Sequence, residues 1–273
     1  MTLQESLNDF LLQKKIAGVS PATLSDYQNF LTIMVKAVGP LTPLESLSYQ
    51  TISNYILSLY ERPLSRSTVA TYIRNTRIFL RWVYHEYGLS FNPSKIKVPK
   101  SPKKIVHIYT DTEIQYLFSC IQTSIPWITA RNSAIISLML DSGIRQKEVC
   151  GLQKANIDKE RMIMKVTGKG AKDRLVPLGY IASLFMDDYL SQCPYPDTAY
   201  VFVDRLGRPL SGNAVRVFVN RLQKKLPFDL SSHKLRHNFA TNYCVDNLRK
   251  NSNSCVYDLS ILMGHESMET TKK

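Results

Sequence analysis

Residues 231–242 read SSHKLRHNFATN, and the interpretation of the whole chain starts from this stretch. His233 and Arg236 stand three positions apart in it, so their side chains project from one face of a predicted helix. An imidazole beside a guanidinium suits contact with a phosphate group. Alone, the pair is also compatible with a helix cap next to a solvated cation, so other segments of the chain are needed to distinguish this alternative from phosphate contact.

Three further segments place a basic side chain close to a glycine: DSGIRQKEVCGL at 141–152, VTGKGAKDRLVPL at 166–178 and ILMGHES at 261–267. Arg145 follows a predicted helix end, and Glu148 lies one helical turn later. Lys169 lies at the tip of a predicted β-hairpin, and His265 directly follows a glycine. Taken singly, each has an ordinary alternative: an arginine paired with Glu148, a solvated lysine, or a histidine packed in a corner.

The charge balance of the chain indicates a polyanionic partner. The 273 residues include 35 Lys and Arg against 22 Asp and Glu, which gives a formal net charge of +13. Residues 1–103 have 12 basic and 6 acidic groups, so the surplus is spread over both halves and not gathered in a tail. Nucleic acid is the commonest partner of such a surface, although a basic surface without a partner is the alternative.

Residues 1–91 are predicted to form a helical DNA-binding domain. Its fourth helix starts near Ser65 or Ser67 and runs to His85, and no acidic residue occurs between Glu61 and Glu86. The arginines of this region are predicted DNA contacts: Arg62, Arg66, Arg74, Arg77 and Arg81. The last three share one helix face and suit contact with backbone phosphates, although a merely solvated helix face is the alternative.

A linker rich in proline and lysine is predicted at 92–109, with Lys97 and Lys100 as further DNA contacts. A second domain is predicted at 110–273. It opens with a capping box and contains helices, a β-hairpin and a short strand at 200–203. The expected fold is mainly α with a small antiparallel sheet in the second domain. Two basic domains joined by a basic linker suit a clamp around a DNA duplex.

Cysteine usage and hydropathy indicate a cytoplasmic location. The cysteines are odd in number and lack CxxC spacing, so we expect reduced thiols without a zinc site or a disulfide framework: Cys120, Cys150, Cys193, Cys244 and Cys255. A stretch of about eighteen apolar residues, which a membrane span would require, is absent from the sequence. The first fifteen residues contain acids where a secretory signal would be basic.

Together, the four segments resemble the conserved motifs of the tyrosine recombinases, the family of phage and transposon integrases, resolvases and Xer recombinases. The family pattern G-(L/I)-R-x-x-E is matched at 143–148 and G-K-G-x-K-x-R-x-V-P-L at 168–178. The pattern H-x-L-R-H-(S/T/N)-F-A-T is matched at 233–241 and L-(L/M)-G-H at 262–265. The resemblance covers nearly the whole chain: a helical DNA-binding domain, a linker and a catalytic domain.

The resemblance implies a role for each matched residue. Arg145 and Arg236 would hold the non-bridging oxygens of the scissile phosphate, and His265 would add a donor. Lys169 would protonate the leaving 5′ oxygen, and His233 would accept or position the proton of the nucleophile. Glu148 would support the site. Further DNA contacts are expected in the same domain: Lys172, Arg174 and Arg216. No metal or organic cofactor is implied.

The chain departs from the family pattern at the nucleophile. By the family's spacing from the L-G-H histidine, the tyrosine would be the first residue after Lys273. Tyr243 and Tyr257 both precede His265 and do not match the motif. We therefore expect residues 1–273 to bind DNA without cleaving it.

The implied activity is site-specific recombination of a bacterial mobile element or its host, through a 3′-phosphotyrosyl intermediate and a Holliday junction. The implied partner is double-stranded DNA with an inverted-repeat core site, bound by a homodimer on one site and a homotetramer in the synapse, with accessory DNA-bending proteins. Two alternatives stay open. One is a non-catalytic, architectural or regulatory DNA-binding relative, and the other is a relaxing enzyme of the type IB topoisomerase kind.

Overall fold

The computed structural model describes residues 1–100, 107–168, 172–249 and 255–264. The chain divides into two compact units, Met1–Lys104 and Ile105–Lys273, which are called the N-terminal unit and the C-terminal unit below. Each unit has a hydrophobic core of its own.

The N-terminal unit is helical throughout its described part. Four α-helices lie in residues 1–100: α1 Leu3–Ile16, α2 Pro21–Val38, α3 Tyr49–Tyr60 and α4 Arg66–Glu86. The side chains of Ser20, Ser48 and Ser65 each accept a backbone N–H in the first turn of α2, α3 and α4, respectively. Phe10 of α1 packs edge-to-face on Phe79 of α4 in the core. Arg66, Arg74 and Arg81 of α4 are exposed.

The C-terminal unit combines helices with one small sheet: α5 Asp111–Ser119, α6 Pro126–Ser142, α7 Gln146–Gly151, β1 Ile157–Asp158, β2 Ile163–Thr167, β3 Asp173–Pro177, α8 Tyr180–Gln192, α9 Gly212–Gln223, α10 Ser232–Arg249 and α11 Cys255–Met263. The three described strands pair antiparallel in the order β1-β2-β3, with Met164 opposite Val176. Helix α6 is buried along most of its length and packs against α8 and α10. The predicted fold class, mainly α with a small antiparallel sheet, is confirmed.

Several boundaries differ from the prediction. The strand predicted at 200–203 is wrong, because Tyr200 and Val203 make only isolated bridges to Gln153 and Pro209. The helix that precedes Arg145 is predicted to begin at about Ala130, but α6 begins four residues earlier, since Pro126 suits the first helical position. Strand β1 was not predicted, because its two residues are too short to show an alternating pattern.

None of the helices in the described ranges is long and apolar enough to cross a lipid bilayer.

Candidate active site

The turn between α6 and α7 positions the first motif arginine. Gly143 ends α6 with a φ of 60°, the left-handed conformation that a glycine adopts without strain. A Cβ at this position would lie 2.3 Å from Cδ1 of Phe239, so α10 also requires a glycine here. The chain then turns, and Arg145 becomes the N-cap residue of α7. Its backbone N–H donates to Oε2 of Glu148 at 2.7 Å.

Glu148 is a buried carboxylate shared by two arginines. Its side chain is 3% exposed, and Oε1 accepts from Nη1 of Arg145 at 2.9 Å. Nη1 and Nη2 of Arg174, on β3, donate to Oε1 and Oε2 at 2.7 and 2.8 Å, which is a bidentate pair. Burial raises the pKa of Glu148, but the hydrogen bonds from Arg174 and Arg145 outweigh it, so the net pKa lies below the ordinary value. Glu148 is therefore ionised at neutral pH.

The last two carbonyl groups of α11 and that of Gly264, the residue after it, accept hydrogen bonds from three arginines. Nε of Arg174 donates to the Leu262 carbonyl at 2.8 Å, and Nη2 of Arg145 donates to the Gly264 carbonyl at 2.8 Å. Nη2 of Arg236 donates to the Met263 carbonyl between them. Carbonyls at a helix C-terminus have no partner within the helix and carry the negative end of its dipole. The end of α11 therefore gathers the three guanidinium groups.

Arg236, on α10, is the most buried of the three, with 5% of its surface exposed. It also donates through Nη1 to the carbonyl of Gly143 at the end of α6. Burial, together with the positive charges of Arg145 and Arg174, lowers the pKa of Arg236 to about 9. The group stays protonated at neutral pH and is held at a fixed position.

Two histidines lie side by side on α10. Nε2 of His237 is 2.9 Å from Nε2 of His233, and the two rings meet edge-to-face with centroids 4.4 Å apart. One Nε2 must donate and the other accept, so the pair shares a proton between these atoms. Partial burial and the charge of Arg236 lower the pKa of both rings. Sequence reasoning missed His237, although its position four residues after His233 was the available signal.

Neutral hydrogen bonds tie the start of α10 to its neighbours. Oγ of Ser232 donates to Oε1 of Gln146 at 2.9 Å, and Nε2 of Gln146 donates to the Gly212 carbonyl at 2.5 Å. On the other side, Oδ1 of Asn238 accepts the backbone N–H of Tyr109 at 2.9 Å. These bonds fix α10 relative to α7 and α9, and so they fix the positions of His233 and Arg236.

Comparison with known proteins identifies the family. Residues 108–273 match the model of the phage integrase family, and residues 7–87 match the phage integrase N-terminal SAM-like domain. The chain belongs to the phage integrase family of tyrosine recombinases. This confirms the resemblance inferred from the four motifs.

Curated relatives in this family include the tyrosine recombinase XerC of Bacillus pumilus, which is 29% identical over 266 residues. The alignment covers 93% of this chain and 85% of that protein. XerC of Oceanobacillus iheyensis is also 29% identical, with the same coverage of each chain.

Solved integrases share the fold. A Tn1549 transposon integrase in complex with a circular intermediate DNA has a TM-score of 0.79 at 18% identity and covers 99% of this chain and 93% of its own. A lambda integrase dimer bound to a COC′ core site has a TM-score of 0.78 at 18% identity and covers 100% and 94%.

The structure brings together some of the family residues predicted from the sequence. Arg145, Glu148 and Arg236 share one cluster, and His233 lies on the same helix as Arg236. Lys169 and His265 lie outside the described residues. Arg174, predicted as a DNA contact, has only 10% of its side chain exposed and faces Glu148.

Most of the other predicted DNA contacts are exposed: Arg62, Arg66, Arg74, Arg81, Lys97, Lys100, Lys172 and Arg216. Arg77 is half-buried and donates to the Ile96 carbonyl at 3.3 Å. In the described part of the chain, no acidic group lies within ion-pair distance of Arg66, Arg74 or Arg81. Their positions are compatible with phosphate contact, which stays a prediction.

Proposed function

We propose that this chain provides the DNA-binding and phosphate-binding residues of a site-specific DNA recombinase, which cuts and rejoins DNA through a 3′-phosphotyrosyl intermediate. Residues 1–273, in which no tyrosine matches the family's nucleophile motif, are proposed to bind DNA without cleaving it. The observation that supports this is the convergence of Arg145 and Arg236 on the end of α11. His233 lies on α10, the helix that also carries Arg236. Two fixed guanidinium groups next to an imidazole suit the transfer of a phosphoryl group.

The chemistry assigns a task to each group. A tyrosine oxygen attacks phosphorus, the bond from phosphorus to the 5′ oxygen breaks, and negative charge builds on the non-bridging oxygens. Donors from Arg145 and Arg236 stabilise that charge, each by about 3 kcal/mol. His233 takes the tyrosine proton, and Lys169 supplies a proton to the leaving 5′ oxygen. The phosphotyrosyl bond conserves the energy of the phosphodiester, so the proposal needs no metal or organic cofactor.

The partner we propose is duplex DNA with inverted half-sites, bound by two copies of the chain and by four in a synapse. The lambda and Tn1549 integrases of the same fold were solved on DNA, including a lambda integrase tetramer on a Holliday junction. The exposed arginines of α4 and the exposed Arg216 of α9 supply basic surface in each unit. The clamp around DNA stays a prediction.

Salt dependence of binding tests the DNA-binding part. Arg74→Gln and Arg81→Gln should each reduce the slope of log Kobs against log salt by about 1, since each removes one phosphate contact. Arg208→Gln is the matched control, because Arg208 is an exposed arginine already paired with Asp204 at 2.8 Å. A duplex recovered from a random-sequence pool by the wild-type chain serves as the probe. Equal slopes for all four proteins would contradict the α4 interface.

Covalent trapping tests the catalytic part. Residues 1–273 should bind a nicked suicide duplex without forming an adduct, and an adduct would contradict our placement of the nucleophile. A chimera that continues after Lys273 with the C-terminal segment of the Bacillus pumilus XerC relative should form the adduct. Lys169→Met should abolish it with little loss of affinity. A chimera that binds as tightly but forms no adduct would favour the alternative, a non-catalytic DNA-binding relative.

A further inference from the structure

The environment of Arg174 differs from that of a DNA contact. All of its donor nitrogens are engaged: Nε by the Leu262 carbonyl, and Nη1 and Nη2 by the two oxygens of Glu148. Its side chain is 10% exposed, whereas that of Arg145 is 35% exposed. Arg145 therefore faces the open side of the cluster, and Arg174 lies behind it.

The carboxylate of Glu148 has two competing partners. Arg174 meets it with the parallel bidentate geometry that gives the stronger pairing, and Arg145 uses one guanidinium nitrogen, Nη1. A single carboxylate neutralises about one positive charge. Because Arg174 takes most of that charge, Arg145 keeps its own for an anion arriving from the open side.

We infer that Arg174 is a positioning residue, which neutralises Glu148 and so leaves Arg145 charged and directed toward the scissile phosphate. This inference rests on the proposed function, since it names what the pair does for phosphate binding. Without Arg174, the carboxylate would turn its second oxygen to the nearest cation, which is Arg145. That guanidinium would then be neutralised and drawn away from the DNA.

The backbone next to this pair fits the same assignment. Gly264 follows α11 with a φ of 57°, and a Cβ there would lie 3.1 Å from Nη1 of Arg174. A Cβ at Gly168, at the end of β2, would lie 3.3 Å from the same nitrogen. Both glycines lie in the matched family motifs. Each leaves room for the guanidinium of Arg174 against Glu148.

A double substitution distinguishes a positioning role of Arg174 from direct contact between Arg174 and a phosphate. Arg174→Met should reduce the salt slope of DNA binding by about 1, whichever role it plays, because either Arg174 or Arg145 loses its phosphate. Adding Glu148→Gln removes the charge that would capture Arg145. The double variant Arg174→Met/Glu148→Gln should therefore recover the wild-type slope. A slope that stays low in the double variant would overturn the inference and favour direct phosphate contact by Arg174.

Lys165 and Asp173 provide a matched control on the same hairpin. They form an ion pair at 2.8 Å between β2 and β3, and both side chains are about half exposed. Asp173→Asn added to Lys165→Met should change nothing further, because Asp173 contacts none of the three clustered arginines. Recovery in this control as well would overturn the inference, since net charge alone would then explain the result.

A second variant guards against misfolding. Arg174→Lys keeps the charge behind Glu148 but loses the bidentate pairing, so its salt slope should stay near the wild-type value. A thermal unfolding midpoint for each variant shows that it is folded at the temperature of the binding assay.

In the chimera described above, Arg174→Met should slow adduct formation on the order of 100-fold, the scale of a small misplacement of a catalytic group. A wild-type chain that binds no duplex would overturn the proposed function and this inference with it.

Discussion

The exposed arginines of α4 and the clustered arginines at the end of α11 are chemically identical but occupy opposite environments. On α4, Arg66, Arg74 and Arg81 are exposed. In the other cluster, Arg174 and Arg236 are nearly buried, and their guanidinium groups bond to a carboxylate or to carbonyl oxygens. The first group presents charge on a surface, and the second holds charge at fixed points.

Under the proposed function, one residue type would serve two steps of the same reaction, DNA binding and phosphoryl transfer. Exposed, mobile arginines suit phosphate contacts in many registers, and their contribution falls as salt is added. A buried cluster has already lost its hydration and its rotamer freedom during folding. It therefore needs little reorganisation when charge develops on a phosphate, which is the condition for strong electrostatic catalysis. The C-terminal unit bears the folding cost of that arrangement, and the following substitutions measure it.

Loss of the shared carboxylate should have the largest effect. Glu148→Ala leaves Arg145 and Arg174 close together without their counter-charge, and breaking such a buried pair costs about 3–5 kcal/mol. Trp82 and Trp127 are the two tryptophans of the chain, one in each unit. In a Trp82→Phe background, Trp127 fluorescence in urea reports the unfolding free energy of the C-terminal unit alone.

The matched comparison uses acids and arginines on exposed surfaces. Asp173→Ala breaks the half-exposed pair with Lys165, and its unfolding free energy should stay close to that of the wild type. Arg74→Gln on α4 should be equally neutral, as read from Trp82 in a Trp127→Phe background. If Glu148→Ala lowered the free energy of unfolding as little as these two variants do, the buried arginine cluster would contribute no more to stability than the exposed arginines.

A smaller difference is expected between the stability costs of replacing the glycines that follow α6 and α4 by alanine. Both have left-handed backbones, with φ of 60° at Gly143 and 75° at Gly88. A Cβ at Gly88 meets open space, so Gly88→Ala should cost about 1 kcal/mol from backbone strain alone. A Cβ at Gly143 would collide with Phe239, and Gly143→Ala should cost about 3 kcal/mol. The same two single-tryptophan backgrounds measure each cost, and equal costs would show that Phe239 moves aside freely.

Sequence reasoning located most helices and some residues of the cluster, because both depend on short patterns. Capping residues such as Ser65 and Thr110 mark helix starts within one turn, and the predicted hairpin pairs as expected. The motif spacing also identified Arg145, Glu148 and Arg236, which the fold brings together across about ninety positions of sequence.

What the sequence did not reveal depends on three-dimensional packing. Arg174 was predicted as one of the DNA contacts of the second domain, and only the fold shows that its guanidinium group faces the carboxylate of Glu148. The hydrogen bonds to the α11 carbonyls could not be predicted either, since every residue has a backbone carbonyl and the sequence does not show which of them accepts a side-chain donor. The segment 200–203 is apolar enough for a strand, but it finds only isolated bridges in place of a partner strand. Such features depend on neighbours that are distant along the chain.

The smallest expected effect concerns pH, and it is confined to the C-terminal unit. Partial burial and Arg236 lower the pKa of His233 and His237 below their value in the unfolded chain. Between the folded and unfolded pKa values, the unfolded state binds more protons, so stability falls as pH decreases through that window. The loss begins near the unfolded pKa of about 6.5 and is complete below the folded pKa.

Replacing either histidine should therefore flatten the acid side of the stability profile. His233→Gln and His237→Gln each remove one titrating ring, and the remaining ring loses its imidazole partner at 2.9 Å. The double variant should be flatter still, but by less than the sum of the two single changes, because the rings share a proton. Unfolding midpoints read from Trp127, from about pH 7.5 to about pH 5, give the three profiles. A wild-type slope in both single variants would contradict this prediction, because it would mean that folding does not lower the pKa of either ring.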